Sequence, residues 1–293
     1  MSTADLRVPA PPTPGVPAPA RAWLRLFGSE LRLVFRRRRN LALLAVLAVI
    51  PVIVGIALKL ATPSASGGNG GPPFLDQVAG NGVFLTFLAL TVMLDLVLPL
   101  VVAVAAGDSV AGEAGGGTLR YLLAVPAGRT RLLVVKYLTV VVFGLAAVVV
   151  IAAASLACGA LLFPVGPVTL LSGTTVSLPL GLLRVGYVVL YVAGAMAALG
   201  AIGVAISTFT EHAIGAIAAL TVITVASEVA DNVPQFAAFQ PYLPTHWWTD
   251  FDALLRTPID TTTLTHGLLS FAVYIAIFGS IAWARFTSAD ITS

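Results

Sequence analysis

The residues that could do covalent or metal chemistry are few, and their spacing does not assemble a site. Gly115-Gly116-Gly117-Thr118 is the nearest approach to a phosphate loop. The Walker pattern needs a Gly-Lys pair ahead of the Ser or Thr, and no Gly-Lys occurs in the chain. Ser172-Gly173 is not set in the G-x-S-x-G turn that exposes a nucleophilic serine. His212, His246 and His266 lack H-E-x-x-H spacing, and His246 with Asp250 offers a weak metal pair at best. Cys158 is the single cysteine, so no intrachain disulfide can form; it reads as an apolar packing residue. The expected catalytic, cofactor-binding and metal residues are therefore none, and the chain is not expected to be an enzyme. Asp95 is the exception. It lies in the middle of an apolar run, where a carboxylate costs about 2.5–3.5 kcal/mol on insertion scales. It should face a helix bundle or a wet cavity, either as part of a path or switch, or hydrogen-bonded to a Ser or Thr of another helix. Pro99, one turn later, is placed to kink that helix, whereas Glu228 reads as a boundary residue.

The elements that must position these residues are apolar and long. Of 293 residues, 58% are hydrophobic and only 10% charged, too few to coat a soluble globule. Six continuous runs stand out, at Leu41–Leu60, Val83–Ala106, Leu138–Phe163, Val185–Thr208, Ala213–Ala230 and His266–Ala284. Each approaches or exceeds the ~18–20 residues that carry a helix across hydrocarbon. A membrane barrel would show alternating segments of about ten residues, so the expected fold is an all-α polytopic membrane protein with six transmembrane helices. Gly194, Ala198, Gly200 and Gly203 give the fourth span a small-residue face suited to close helix packing.

Basic residues set the expected orientation. Arg7, Arg21, Arg25, Arg32, the block Arg36 to Arg39, Arg120, Arg129, Arg131, Lys136 and Arg285 fall on one side of six alternating spans, 13 against the three of Lys59, Arg184 and Arg256. By the positive-inside rule both termini are cytoplasmic. About 35 residues precede the stretch Arg36 to Leu60, and its apolar part is long, so it reads as a retained span rather than a cleaved signal. Residues 1–20 hold six prolines and read as a disordered tail. Over residues 21–40, Trp23, Leu24, Phe27, Leu31, Val34 and Phe35 recur at helical spacing opposite Arg21, Arg25, Ser29, Arg32 and Arg36. That pattern predicts an amphipathic helix on the inner membrane surface, with a plain basic tether as the simpler alternative. Nucleic acid is not an expected partner, because the arginines abut a span. Residues 41–286 form the six-span domain and 287–293 a C-terminal tail.

The outer loops at 61–82 and 164–182 are rich in turn formers. The outer segment 231–265 carries Phe236, Phe239, Tyr242, Trp247, Trp248 and Phe251 between prolines, and its pieces are expected to fold back into the outer leaflet as a re-entrant segment. The inner loop between spans two and three is the most informative stretch. Its glycines from Gly107 are expected to end span two. Thr118 can cap a short helix over 119–124 that Pro126 stops. Leu119, Tyr121, Leu122 and Leu123 could fill a groove on a soluble partner, with Glu113 and Arg120 as rim charges.

The pattern Glu113, Gly117-Thr118-Leu119, Leu122-Leu123, Pro126, Arg129 and Lys136 resembles the permease subunits of ABC transporters of the type-2 exporter class. The likeness extends over most of the chain from about residue 21, through the basic entry helix, the six spans and the long outer segment before the last one. The inserted glycines at 115 and 116 depart from the pattern. The resemblance implies that residues 113–129, Glu113, Gly117, Thr118, Leu119, Arg120, Tyr121, Leu122, Leu123, Pro126 and Arg129 among them, form a coupling helix docked on a separate ATPase subunit that holds ATP and Mg. It implies two permeases and two ATPases in a bacterial cytoplasmic membrane, hence a second copy or a related permease and the lipid bilayer as partners. The alternatives from other classes are a membrane anchor or scaffold for a cytoplasmic partner and an intramembrane hydrolase, the latter lacking a nucleophile and base at one depth.

Overall fold

A computed structural model describes residues 19–65, 80–115 and 128–288 of the chain. The helices are α1 (Pro19–Arg36), α2 (Arg38–Ala65), α3 (Phe84–Leu94), α4 (Val97–Gly115), α5 (Arg129–Leu162), α6 (Leu178–Ser207), α7 (Ala213–Asp231) and α8 (Thr261–Ser288). Among the described residues six of them, all but α1 and α3, are long and apolar enough to cross a membrane. The architecture is that of an all-α polytopic integral membrane protein. A small departure is an antiparallel hairpin of β1 (Val168–Thr169) and β2 (Thr175–Val176) in the loop before α6.

Several helices run further than the hydropathy predicts, and in α4 and α5 the extension carries charged residues. The glycines at 107 and 112 do not end span two, because α4 continues through both to Gly115. Gly107 is needed for closeness rather than for a break: a β-carbon there would lie 2.9 Å from the backbone nitrogen of Ile217 on α7. Likewise α5 begins at Arg129, nine residues before its apolar core, and spans 34 residues. Asp108, Glu113, Arg131 and Lys136 therefore stand on rigid helical turns and not in a loop. The entry helix and the first span meet at Arg37, inside the arginine block, so the span helix starts at Arg38 rather than at Leu41.

The centre of the bundle is α6. Within an 18-residue apolar stretch of it 78% of residues are buried, against 17% in the corresponding stretches of α2 and α8. It packs on α4, α5 and α8, and its small residues permit this. A β-carbon on Gly203 would sit 2.6 Å from Cβ of Ala106, and one on Gly200 would sit 3.0 Å from Val140. At the opposite end Gly82 and Gly159 meet backbone to backbone, with no room for a β-carbon on either. Asn81 ties that corner by donating to the carbonyls of Gly166 and Pro167, 3.0 Å each, while its side-chain oxygen accepts the amide of Val83.

Contacts between loops place the ends of the spans. The α1 end, the start of α5, the 208–212 turn and the end of α8 share one face, joined by Lys136–Glu30, Ser207–Gly107 and Arg129–Thr287 contacts. The 164–177 hairpin and residues 232–260 share the other, where Leu171 N–H donates to the Leu255 carbonyl at 3.0 Å. Residues 232–260 hold three short 3-10 helices, Pro234–Phe236, Gln240–Tyr242 and Asp250–Leu255.

Candidate functional site

On the face that carries α1, acidic and basic side chains from three helices meet out of solvent. Between Pro19 and Arg36 the only acidic residue is Glu30, among arginines. Helical periodicity turns it from the arginine face towards α5, and it is buried. Lys136, two turns into α5, is only 2% exposed. Its Nζ lies 2.6 Å from Oε1 of Glu113, on the last turn of α4, and 3.5 Å from Oε2 of Glu30. One ammonium thus bridges two buried carboxylates, and through them joins α1, α4 and α5. Burying charges costs several kcal/mol each unless they are paired, so the three positions depend on one another.

A second set lies about a turn away. Asp108 on α4 pairs with Arg37 and with Nη2 of Arg39 at 3.1 Å. Asn40 is buried and donates to the Val34 carbonyl at 3.0 Å, satisfying an acceptor that the end of α1 leaves without a helical partner. The cleft lined by Glu30, Arg37, Asn40, Asp108, Glu113 and Lys136 encloses about 20 Å³. It is filled by its own side chains, far below the ~300 Å³ at which ligand pockets begin. This cluster holds helices; it does not hold a substrate.

Both ends of segment 116–127 are fixed by neighbouring helices. Ser207 Oγ donates to the Gly107 carbonyl at 2.8 Å and accepts the amides of Ala111 at 2.9 Å and Val110 at 3.2 Å. It bonds both to the Gly107 carbonyl and to the Ala111 amide and so stitches α6 into that helix. Gly115 abuts the backbone of Glu211, whose carbonyl oxygen would lie 2.7 Å from a β-carbon. Past the segment, Arg129 Nη1 donates to the Thr287 carbonyl at 3.0 Å, and Trp283 Nε1 donates to Thr130 Oγ1 at 3.0 Å.

Of the residues expected to form the coupling helix, Gly117, Thr118, Leu119, Arg120, Tyr121, Leu122, Leu123 and Pro126 lie outside the described residues. Glu113 is not the rim charge expected of it: it is buried and turned inwards onto Lys136, because α4 extends that far as a helix. Arg129 opens α5 and reaches α8. Glu30, Asn40 and Asp108 were not singled out by sequence. The available signal was the lone acidic residue in a basic amphipathic helix, which implies a cationic partner on the buried side.

Asp95 stands at a break between α3 and α4, in the two residues that belong to neither helix. Pro99 accounts for the break. Its nitrogen carries no proton for the Asp95 carbonyl four residues back, and its ring crowds that carbonyl. The Asp95 side chain is exposed on the outer surface of the single chain, beside Val92 and Leu96, rather than turned into the bundle. Among the described residues it has no hydrogen bond to a Ser or Thr, and its charge is close enough to interact with that of Glu228 on α7.

On the opposite face, Arg184 is 7% exposed and donates to the carbonyls of Leu254 at 2.5 Å and Arg256 at 2.8 Å, and to Thr257 Oγ1 at 3.2 Å. His246 Nδ1 pairs with Asp231 at 2.6 Å rather than with Asp250. Among the described residues no three or more His, Cys, Asp or Glu side chains are grouped to hold a metal ion.

A family model described as "Protein of unknown function (DUF2705)" matches residues 46–292. No curated protein matches the chain.

Proposed function

The chain belongs to the DUF2705 family, whose description carries no activity, and we propose that it is the permease subunit of an ATP-driven ABC exporter, coupled to separate ATPase subunits and working as a dimer. The observation that carries this reading is the bracing of segment 116–127. A force applied to a loop is dissipated unless the loop is mounted on rigid elements. Here the segment is mounted on α4 and α5, and the Glu30–Lys136–Glu113 bridge locks those two helices to each other and to α1. A push on Leu119, Tyr121, Leu122 and Leu123 is then delivered to whole helices. In this arrangement the α1 face is cytoplasmic, a reading supported by the 13-to-3 distribution of basic residues. Helix α1 lies along the membrane surface, and the aromatic outer segment folds back into the outer leaflet. ATP and Mg belong to the partner. The exposed Asp95 fits a dimer, because a carboxylate at that depth is tolerated against a second copy or a wet path and not against lipid tails.

The test is Leu122→Asp compared with Thr174→Asp in the loop on the other face. A charge placed in an apolar docking groove is expected to remove about 2 kcal/mol or more of binding, roughly thirtyfold in affinity. Leu122→Asp should insert in the membrane at the normal level yet fail to co-purify with the ATPase subunit. Thr174→Asp should behave as wild type. Equal ATPase recovery from both variants would make 116–127 an ordinary connector and favour the anchor reading.

A further inference from the structure

The outer face holds a cavity that the docking of an ATPase does not use. It measures about 530 Å³, within the range of small-molecule sites. Its walls come from three elements: α3, the tip of the β1–β2 hairpin at Leu171, and the 3-10 helix Asp250–Leu255. Phe84 and Phe87 form one wall, their rings 5.7 Å apart and edge to face, with Thr91 below them and Phe251 opposite. Asp250 and Asp252 supply the charge. Arg256 Nη2 lies 2.9 Å from Asp252 and answers that carboxylate, whereas Asp250 has neither an ion pair nor a side-chain hydrogen bond among the described residues. Burial, and then the neighbouring charge of Asp252, push the Asp250 carboxyl up from the usual carboxylate range; Asp231 and Asp260 add to this, and His246 opposes it. The walls are held in place. The Leu171 amide donates to Leu255, the Thr257 amide donates to Ser172 Oγ at 3.1 Å, and Arg184 clamps the end of the 3-10 helix.

We propose that this cavity binds an amphipathic organic cation, whose positive centre sits at Asp250 and whose apolar body lies on Phe84, Phe87 and Phe251. The charge decides the class. A lipid chain would fill the aromatic wall but leave Asp250 without a counter-ion, and an anion would meet two carboxylates. A cation gains both the carboxylate and the aromatic ring faces. The site is formed by this chain alone, so it stands or falls independently of the ATPase reading.

The experiment is equilibrium dialysis of the purified full-length protein, in detergent, against tetraphenylphosphonium and tetraphenylborate, which match in size and apolarity and differ in sign. Tetraphenylphosphonium is expected to bind more tightly by about tenfold or more. Asp250→Asn should remove that preference while leaving borate binding unchanged. Thr91→Trp, which fills the cavity from a wall that is already exposed, should abolish binding of the cation with elution as a single species retained. Leu122→Asp should bind the cation as wild type does. Equal binding of the two ions, no binding of the cation, or a preference that survives Asp250→Asn would overturn the assignment of cation. Binding undiminished in Thr91→Trp would overturn the location.

Discussion

Lys136→Met is expected to destabilise the protein by about 3–5 kcal/mol, since removing one partner of a buried ion network leaves the others uncompensated. Here the two left behind are Glu30 and Glu113, both buried, and each loses the ammonium that bridges them. The length of the side chain is nearly conserved, so the loss measures charge and not a cavity. The triple variant Glu30→Leu, Glu113→Leu, Lys136→Met removes all three charges together and should recover most of the loss, because an apolar cluster of similar volume carries no desolvation cost. The measurement is thermal unfolding of the purified protein in one fixed detergent. A single variant as stable as wild type would mean that the carboxylates are solvated and that α1 is not held by this bridge. The triple variant also separates two roles. Under the proposed exporter function, transport should return with stability if the bridge only holds helices, and should stay lost in the stable triple variant if the charges move during a cycle.

On the other face, Arg184→Leu should cost about 2–4 kcal/mol, the charge-assisted hydrogen bonds lost together with the acceptors orphaned by the change. The carbonyls of Leu254 and Arg256 and the hydroxyl of Thr257 all depend on this guanidinium. Limited proteolysis should then cut between residues 243 and 260 at concentrations that leave wild type whole. Arg184→Lys should give partial protection, because an ammonium cannot reach three acceptors in the geometry of the planar fork. Equal protease resistance in wild type and Arg184→Leu would show that the outer segment is held by its aromatic contacts alone.

The spans were legible in the sequence because membrane insertion is decided by composition over about twenty residues, which needs no knowledge of partners. The amphipathic helix was legible for a related reason, since its apolar residues recur at 3.6. Helix ends were not. Gly107 and Gly112 read as breakers by propensity, yet α4 passes through both. Gly107 lies against the backbone of α7, and the hydroxyl of Ser207 bonds to its carbonyl. Tertiary contact from 100 or more residues away decides that, and no local pattern records it. Lys136 and Arg129 were counted as loop charges for the same reason: their helix starts before its apolar core does. Asp95 was singled out by its cost in hydrocarbon and Pro99 as a point of kinking, so a disturbance of span two was legible, whereas its full break into α3 and α4 was not. Nor was the Glu30–Lys136–Glu113 bridge, because residues 30, 113 and 136 share no spacing that sequence periodicity can show.

In the proposed exporter, segment 116–127 is the surface on which an ATPase docks. The most direct measurement places a photo-crosslinking amino acid at position 122 in intact cells, with position 174 as the control, and identifies the product by mass spectrometry. One major adduct is expected from position 122, to a protein carrying Walker A and ABC signature motifs, and none from position 174. Absence of any adduct at 122, or an adduct to a protein without a nucleotide-binding site, would contradict this docking.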